Sequence, residues 1–492
     1  MAYVWFRGRA VVAIAVLSAL GAGMATYGFF EYSGWGIRPP ALQPGLASAD
    51  RTEGLTQAEL DKLNKAIGLI EDRFILPTDR SKIVDGAVQG MVQSLDDPFS
   101  AYLSAEDAEE FNDSLEGAFS GIGAKLRIDN GAIVVESPMT GSPAERAGLR
   151  PLDVLLSVNG ESLNGLTLND AVSKIRGPKG TKAKLKVQRK GAMEPLELEL
   201  VRDRIDLESV GADIGTDGVG LLTINQFSAD TSAQVAEALR RMEAGGLKAL
   251  VVDVRDNPGG MLQAVIEVAD QLLAKGKPIV QSEYRDGKRK VDEAEHGAAG
   301  GRTYPLVVLV NKGSASSAEI MAGALKQSGD ATLVGETTYG KGTVQVPNIG
   351  DLGDRSMLKL TVYKWLLPDG SWINGKGIEP DVIVHQPAYF LASRLPRDRV
   401  LKFDETGEAV KNLQSILNGV GMTVDRSDGY FSAGTKEAVK AFQKREALPE
   451  TGEVDAETAQ RLEEALYEKL NDPANDRQLQ KATEKARELA AR

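Results

Sequence analysis

The chain has 492 residues, enough for about three or four domains of ordinary size. Its formal net charge of −12 argues against a nucleic-acid partner. It has no Cys and only His296 and His385, which removes disulfides, thiolate metal sites and a cysteine nucleophile and leaves zinc hydrolysis without ligands; no metal site and no cofactor is expected.

At the N-terminus, Arg7 and Arg9 precede an uncharged run from Ala10 to Phe30, 21 residues. As a helix that run is long enough to cross a bilayer. It exceeds a usual signal-peptide core, and no clean Ala-x-Ala site follows. Residues 1–32 are read as a membrane anchor, with a cleaved signal as the alternative. With the arginines inside, the rest of the chain lies outside the cytoplasm, membrane-tethered or secreted. The Gly- and Pro-bearing stretch 33–55 reads as a tether.

Residues 56–117 are expected to be helical. Leu60, Leu63, Ile67 and Ile70 recur at three- and four-residue steps, as do Val84, Val88, Met91 and Leu95, with a break at Pro77. This is an amphipathic hairpin suited to packing or dimerisation, so a homodimer is expected, and composition gives it no chemistry.

Residues 118–204 read as a β-rich module. Strands are expected at Lys125–Ile128, Ile133–Glu136, Leu152–Asn159 and Ala183–Gln188, with a short helix at Ser142–Gly148 and another at Leu168–Ile175. The loop Gly121-Ile122-Gly123-Ala124, the run Ser142-Pro-Ala-Glu-Arg-Ala-Gly-Leu149 and the run Asp153-Val-Leu-Leu-Ser-Val-Asn-Gly160 together resemble a PDZ domain. That resemblance implies a peptide added as a strand, with its C-terminal carboxylate in the N–H groups of Gly121, Ile122, Gly123 and Ala124. Arg176 either couples this module to the core or is a solvated surface arginine.

Residues 205–386 alternate strands and helices, an α/β layer. Val219–Ile224, Ala249–Val254 and Leu306–Val310 are apolar, β-branched runs suited to strands buried on both faces. Asp253-Val-Arg-Asp-Asn-Pro-Gly-Gly260 closes one strand with a glycine pair whose N–H groups suit an oxyanion. Asn311-Lys-Gly-Ser-Ala-Ser316-Ser-Ala-Glu319 supplies a candidate nucleophile, and Lys341 follows 25 residues after Ser316. A serine nucleophile needs a proton acceptor, and both histidines sit in poor contexts. A lysine serves when burial lowers its pKa. Strand alternation puts Lys341, Thr343 and Gln345 on one face, so Gln345 is expected to hydrogen-bond and orient Lys341. Gly335 to Gly340-Lys341-Gly342 also invites a phosphate-loop reading, but Gly342 stands where that motif needs Ser or Thr.

These segments, with Leu95-Asp-Asp-Pro-Phe-Ser-Ala-Tyr102 and Pro368-Asp-Gly-Ser-Trp-Ile-Asn-Gly-Lys-Gly-Ile-Glu-Pro-Asp381, resemble the carboxy-terminal processing peptidases, serine-lysine endopeptidases with an embedded PDZ domain. The resemblance covers roughly Thr56 to His385. It implies Ser316, Lys341 and Gln345 as catalytic residues and the backbone N–H groups of Gly260 and Ser317 as the oxyanion hole. It also implies substrates with apolar C-terminal tails, PDZ gating and a ring-like assembly. The family run is Ser-Ala-Ser-Ala-Ser-Glu; here Ser317-Ala318 exchanges the order, which leaves a Ser316/Ser317 ambiguity. The spacing to Lys341 favours Ser316.

After a linker at 387–402, residues 403–470 contain paired Leu413-Gln414 and Phe442-Gln443 helices with Asp428-Gly-Tyr-Phe431 and Thr451-Gly-Glu-Val-Asp455 between and after them. This internal duplication resembles the helical peptidoglycan-binding domain of cell-wall enzymes, implying peptidoglycan as a partner. A plain three-helix packing module is the alternative. Residues 471–492 are expected as a charged helix or a frayed tail. The whole is a multidomain α/β protein: N-terminal anchor, helical hairpin, PDZ-like β-rich module, α/β protease core and C-terminal helical domain. Its rival functions are a catalytically inactive PDZ and cell-wall scaffold, or a cell-wall hydrolase.

Overall fold

A computed structural model describes residues 54–129, 132–139, 141–166, 168–189, 194–206, 209–297, 302–349 and 352–492. The expected anchor and nearly all of the tether lie outside these residues. Among the described residues no helix is long and apolar enough to cross a membrane.

The chain divides into two units, residues 1–83 and 84–492. In the first, Gln57–Arg73 is a helix opened by a capping box in which Thr56 and Glu59 satisfy each other's backbone N–H. Arg80 holds Glu71 with two hydrogen bonds of 2.8 and 2.7 Å. Leu63, Ile70, Phe74, Ile75 and Leu76 are all exposed. The second expected helix forms over Arg80–Gln93.

The β-rich module is an antiparallel sheet ordered Ala124–Asp129, Ala132–Pro138, Val154–Val158, Lys182–Gln188, Leu196–Val201. Along Lys182–Gln188 the alternating Lys-Ala-Lys-Leu-Lys-Val sequence sends Ala183, Leu185 and Val187 into the core and the lysines to solvent. Ala124–Asp129 is an edge strand. The chain enters the module through Ala118–Gly121 and leaves through Asp203–Asp206, which pair with each other.

The core sheet is ordered Val210–Ile214, Val219–Ile224, Ala249–Asp253, Leu306–Val310, Thr332–Gly335, Val382–Ile383, with every pairing after the first parallel. Successive residues face opposite sides. Leu250, Val252, Leu306, Val308 and Leu333 pack under the helices Thr231–Ala244, Leu262–Leu272 and Ser317–Ser328. Ala249, Val251, Val307, Leu309 and Val334 face the other way and are covered by the terminal helix Arg477–Ala490, through Leu479, Ala482, Ala486 and Leu489. The charged C-terminal segment is thus a packed wall of the core, and residues 387–475 are an insertion between the core's last strand and its last helix. A second, antiparallel sheet stands on the long strand Met357–Leu366, which pairs with Thr343–Ile349, Pro278–Tyr284 and Ala101–Leu103.

In the inserted module, helices Glu408–Gly419, Ala433–Arg445 and Ala456–Asn471 enclose Leu413, Leu417, Phe431, Val439, Phe442 and Leu462. The duplication read in the sequence has a structural cause. Buried Gln414 accepts from Gly429 N–H and donates to the Thr435 hydroxyl in the next helix. Buried Gln443 repeats this with Gly452 and Thr458. Each glutamine staples a loop to a following helix, so neither of these two buried amides is left unpaired.

Candidate active site

Ser316 ends the loop after the strand Leu306–Val310 and directly precedes the helix Ser317–Ser328. Its φ of 55° and ψ of −118° are unusual for a residue with a Cβ, a conformation that costs on the order of 1–3 kcal/mol and needs surrounding support. Support comes from two directions. Glu319, three residues on and fully buried, accepts the Ser316 N–H at 2.9 Å. Gly259 (φ 107°) lies so close that a Cβ there would be 2.8 Å from the Ser316 Cβ.

The glycine pair is fixed from below. Asn257, fully buried, donates to Ile224 O at 2.8 Å, accepts from Gly259 N–H at 2.8 Å, and its carbonyl accepts from Ala315 N–H at 3.0 Å. Gly260 (φ 139°) bridges to Phe227, where a Cβ would meet the Phe227 carbonyl at 2.1 Å. The Ser317 hydroxyl donates to Gly260 O at 3.0 Å. The extra hydroxyl of the Ser316-Ser317 pair is therefore engaged in holding the glycine loop. The N–H groups of Gly260 and Ser317 have no acceptor among the described residues.

Lys341 follows the strand Thr332–Gly335 in a loop held by backbone bonds, such as Tyr339 N–H to Ser314 O at 3.0 Å and Gly375 N–H to Gly340 O at 2.8 Å, and by side chains. Glu319 reappears: its carboxylate accepts from Gly340 N–H at 2.7 Å, Lys341 N–H at 2.9 Å and the Thr338 hydroxyl at 2.5 Å. The Trp365 indole donates to Lys341 O and the Trp372 indole to Gly342 O, each at 2.7 Å, and Asn374 accepts from Gly342 N–H at 3.0 Å. Burial, and secondarily the charge of Lys359, lower the Lys341 pKa from its ordinary value; Asp97 and Glu319 oppose them. The Lys341 ammonium sits 4.9 Å from the centre of the Phe99 ring.

The register shift beside Val344 and Gln345 leaves its extra residue, Val362, on the partner strand Met357–Leu366. Gln345 therefore keeps the Thr343 face that alternation gives it, but the strand begins at Thr343, beyond Lys341. Its amide donates to Thr361 Oγ1 at 2.9 Å and Thr343 Oγ1 at 3.2 Å rather than meeting Lys341. Thr361 passes the connection to Asp97, whose carboxylate it reaches at 2.6 Å. Neither Ser316 nor Gln345 hydrogen-bonds the Lys341 side chain here.

Of the PDZ-module residues, Ile122, Gly123 and Ala124 line a groove of roughly 230 Å³ beside the helix Leu168–Ile175, with Phe119, Leu126, Met139 and Val172 supplying apolar walls. Gly121 and Gly123 are both crowded: a Cβ would be 3.2 Å from Phe119 at the first and 2.4 Å from Ser142 at the second. Arg176 stands at the groove with its guanidinium 5.0 Å from the centre of the Phe119 ring.

Several residues around the site had no role in the sequence reading. Asp97 and Phe99 lie in the Leu95–Tyr102 motif, whose chemistry appears only when the chain brings it to Lys341. Trp365, Trp372, Asn374 and Lys359 lie nearer to Lys341 in sequence, but on segments whose contact with it only the fold supplies. Only Glu319 had a local signal, the three-residue spacing of a capping box after Ser316.

An α/β core with a strained serine at a strand-to-helix junction, an apposed glycine loop with free N–H groups and a half-buried lysine is the layout of a serine-type peptidase. Residues 218–384 match peptidase family S41, 134–189 the PDZ domain, 406–462 a peptidoglycan binding domain and 20–107 the N-terminal domain of the activating protease CtpB. The chain is 43% identical over 449 residues to the carboxy-terminal processing protease CtpB of Bacillus subtilis (strain 168), covering 90% of this chain and 91% of that one. It is 42% identical over 427 residues to CtpA of the same organism, covering 87% and 90%. A solved photosystem II D1 C-terminal processing protease aligns over 67% of this chain and 94% of its own at 27% identity, with a TM-score of 0.41. The protein belongs to the carboxy-terminal processing proteases of peptidase family S41; it is a serine-type endopeptidase with a PDZ domain.

Proposed function

We propose that Ser316 is the nucleophile and Lys341 its general base, in an extracytoplasmic protease whose PDZ domain gates cleavage. The observation that carries this reading is the Glu319 carboxylate, which takes hydrogen bonds from both Ser316 N–H and Lys341 N–H and so ties a strained serine to a half-buried lysine. Neutral Lys341 takes the Ser316 proton as the hydroxyl attacks a peptide carbonyl. The N–H groups of Gly260 and Ser317 receive the oxyanion, a contribution of about 3 kcal/mol per donor. The amine product leaves with a proton from Lys341, and water activated by the same amine releases the acyl group. Gln345 acts through Thr361 and Asp97 on the environment of the lysine. The Lys341 side chain resting over Phe99, without a bond to Ser316, fits an enzyme that is latent until a substrate tail binds.

The tail adds to the free edge of Ala124–Asp129, with its carboxylate toward Gly121, Ile122, Gly123 and Ala124 and its apolar side chain in the groove. Arg176 senses that carboxylate. The inserted C-terminal module binds peptidoglycan, residues 1–32 hold the enzyme at the membrane, and the exposed apolar residues from Leu63 to Leu76 pair with a second copy. Cleavage of casein and of an apolar-tailed peptide by the unmutated chain, Ser316→Ala and Lys341→Ala tests the core of this reading. Both variants should fold and cleave at least about 10³-fold more slowly; retained cleavage in either removes that residue from the mechanism.

A further inference from the structure

The eight residues Asp253–Gly260 carry the glycine loop, and their first half is gripped from the far end of the chain. Arg255 is mostly buried and bidentate on Asp253. Its outer nitrogens reach Asp476, at 3.0 Å from Nη1 to Oδ1 and 2.9 Å from Nη2 to Oδ2, and Nη1 also reaches Gln478 Oε1 at 3.2 Å. Asp476 is the N-cap of the terminal helix, accepting from Leu479 N–H at 2.9 Å. Gln386, where the chain leaves the core for the inserted module, donates to the same carboxylate at 2.6 Å. Gln478 donates to Val384 O at 2.8 Å. Both connections of the insertion therefore close on one side chain.

From Arg255 the contacts run without interruption to the nucleophile. Asp256 is held at φ 56°, with its N–H on Asn311 Oδ1 at 2.9 Å and its carboxylate on Asn311 Nδ2 at 2.9 Å. Asn257 binds the loop of Ser316 through Ala315, and Gly259 abuts Ser316 itself. A left-handed aspartate between two anchored residues has no free torsion with which to absorb a shift at Arg255.

We propose that Asp476 is a positioning residue of the protease site: through Arg255 it fixes the loop that aims Gly260 N–H at the oxyanion. This rests on the serine-protease reading above. The peptidase-family match ends at residue 384, so this assignment lies in a part of the chain that the match does not reach.

Asp476→Ser separates the two duties of the side chain. Serine keeps the helix cap but is too short and uncharged to hold Arg255. In the full-length chain, kcat for casein peptides is expected to fall about tenfold to a hundredfold, because small misplacements of catalytic donors cost that much. KM should stay within about twofold, the melting temperature should hold, and Asp476→Glu should recover most of the rate. Faster amide exchange confined to 255–260 in Asp476→Ser is the accompanying structural readout. An unchanged kcat, or a loss explained wholly by a smaller folded fraction, overturns the assignment. Ser316→Ala run alongside separates the two readings. If it still cleaves, the nucleophile assignment fails; if it is dead and Asp476→Ser cleaves normally, only the present inference fails.

Discussion

Single side chains set the chemistry of this site, and the most connected is Glu319. Three backbone N–H groups and one hydroxyl donate to its carboxylate, and an amide nitrogen could accept from none of them. Glu319→Gln turns an amide donor toward those donors. It should cost about 1–3 kcal/mol of stability and most of the activity, measurable by denaturant unfolding and by casein turnover. The lysine gives a second test. Only its neutral form is a base, so activity should rise with pH as the lowered Lys341 pKa is passed. Lys359 pushes that pKa down and Asp97 pushes it up. Lys359→Met should therefore move the acid limb of the kcat/KM profile to higher pH, and Asp97→Asn should move it lower. Shifts in the reverse sense would mean that the titrating group is not Lys341.

At the scale of elements, the terminal helix matters more than its composition suggests. It carries many charges, yet Ala482 and Ala486 are fully buried against the core sheet. Without this helix, Ala249, Val251, Val307, Leu309 and Val334 would face water on the very strands that carry the glycine loop and the serine loop. Ala486→Asp places an unpaired carboxylate there and should destabilise the core by about 3 kcal/mol or more, read by thermal or urea unfolding. The glycine loop is equally exacting. Gly259→Ala puts a methyl group against Ser316 at a φ of 107°, and should abolish cleavage while leaving PDZ peptide binding intact.

At the scale of the molecule, the chain enters and leaves the PDZ module through a narrow ribbon, Ala118–Gly121 paired with Asp203–Asp206. The loop Gly121–Ala124 begins where the first of these strands ends, and the Phe119 ring on that strand faces the Arg176 guanidinium. On the gating proposed above, a ligand in the groove would press on these paired entry and exit strands. An apolar-tailed peptide with a free C-terminus should raise casein turnover several-fold, while the same peptide amidated should not. Arg176→Ala should flatten that response without changing the basal rate.

Local sequence determined a good deal. Period-two and continuous apolar runs gave the strands, since burial on one or both faces leaves a different imprint on the sequence. Glycines that tolerate no Cβ gave the loops around Ser316, because only backbone fits between Phe227, Ser316 and the glycine pair. The glutamine repeats gave the two halves of the C-terminal module. What sequence could not give was any contact between distant segments. Gln345 shares the Thr343 face, yet its amide meets Thr361 on the neighbouring strand rather than Lys341, a choice of partner that residue type alone does not encode. Asp97 and Phe99 meet Lys341 across more than 240 residues, and Asp476 meets Arg255 across 221. The covering of the sheet's second face by Arg477–Ala490 was hidden for the same reason. Small alanines on a charged helix read as solvated until the tertiary fold supplies the surface that needs them.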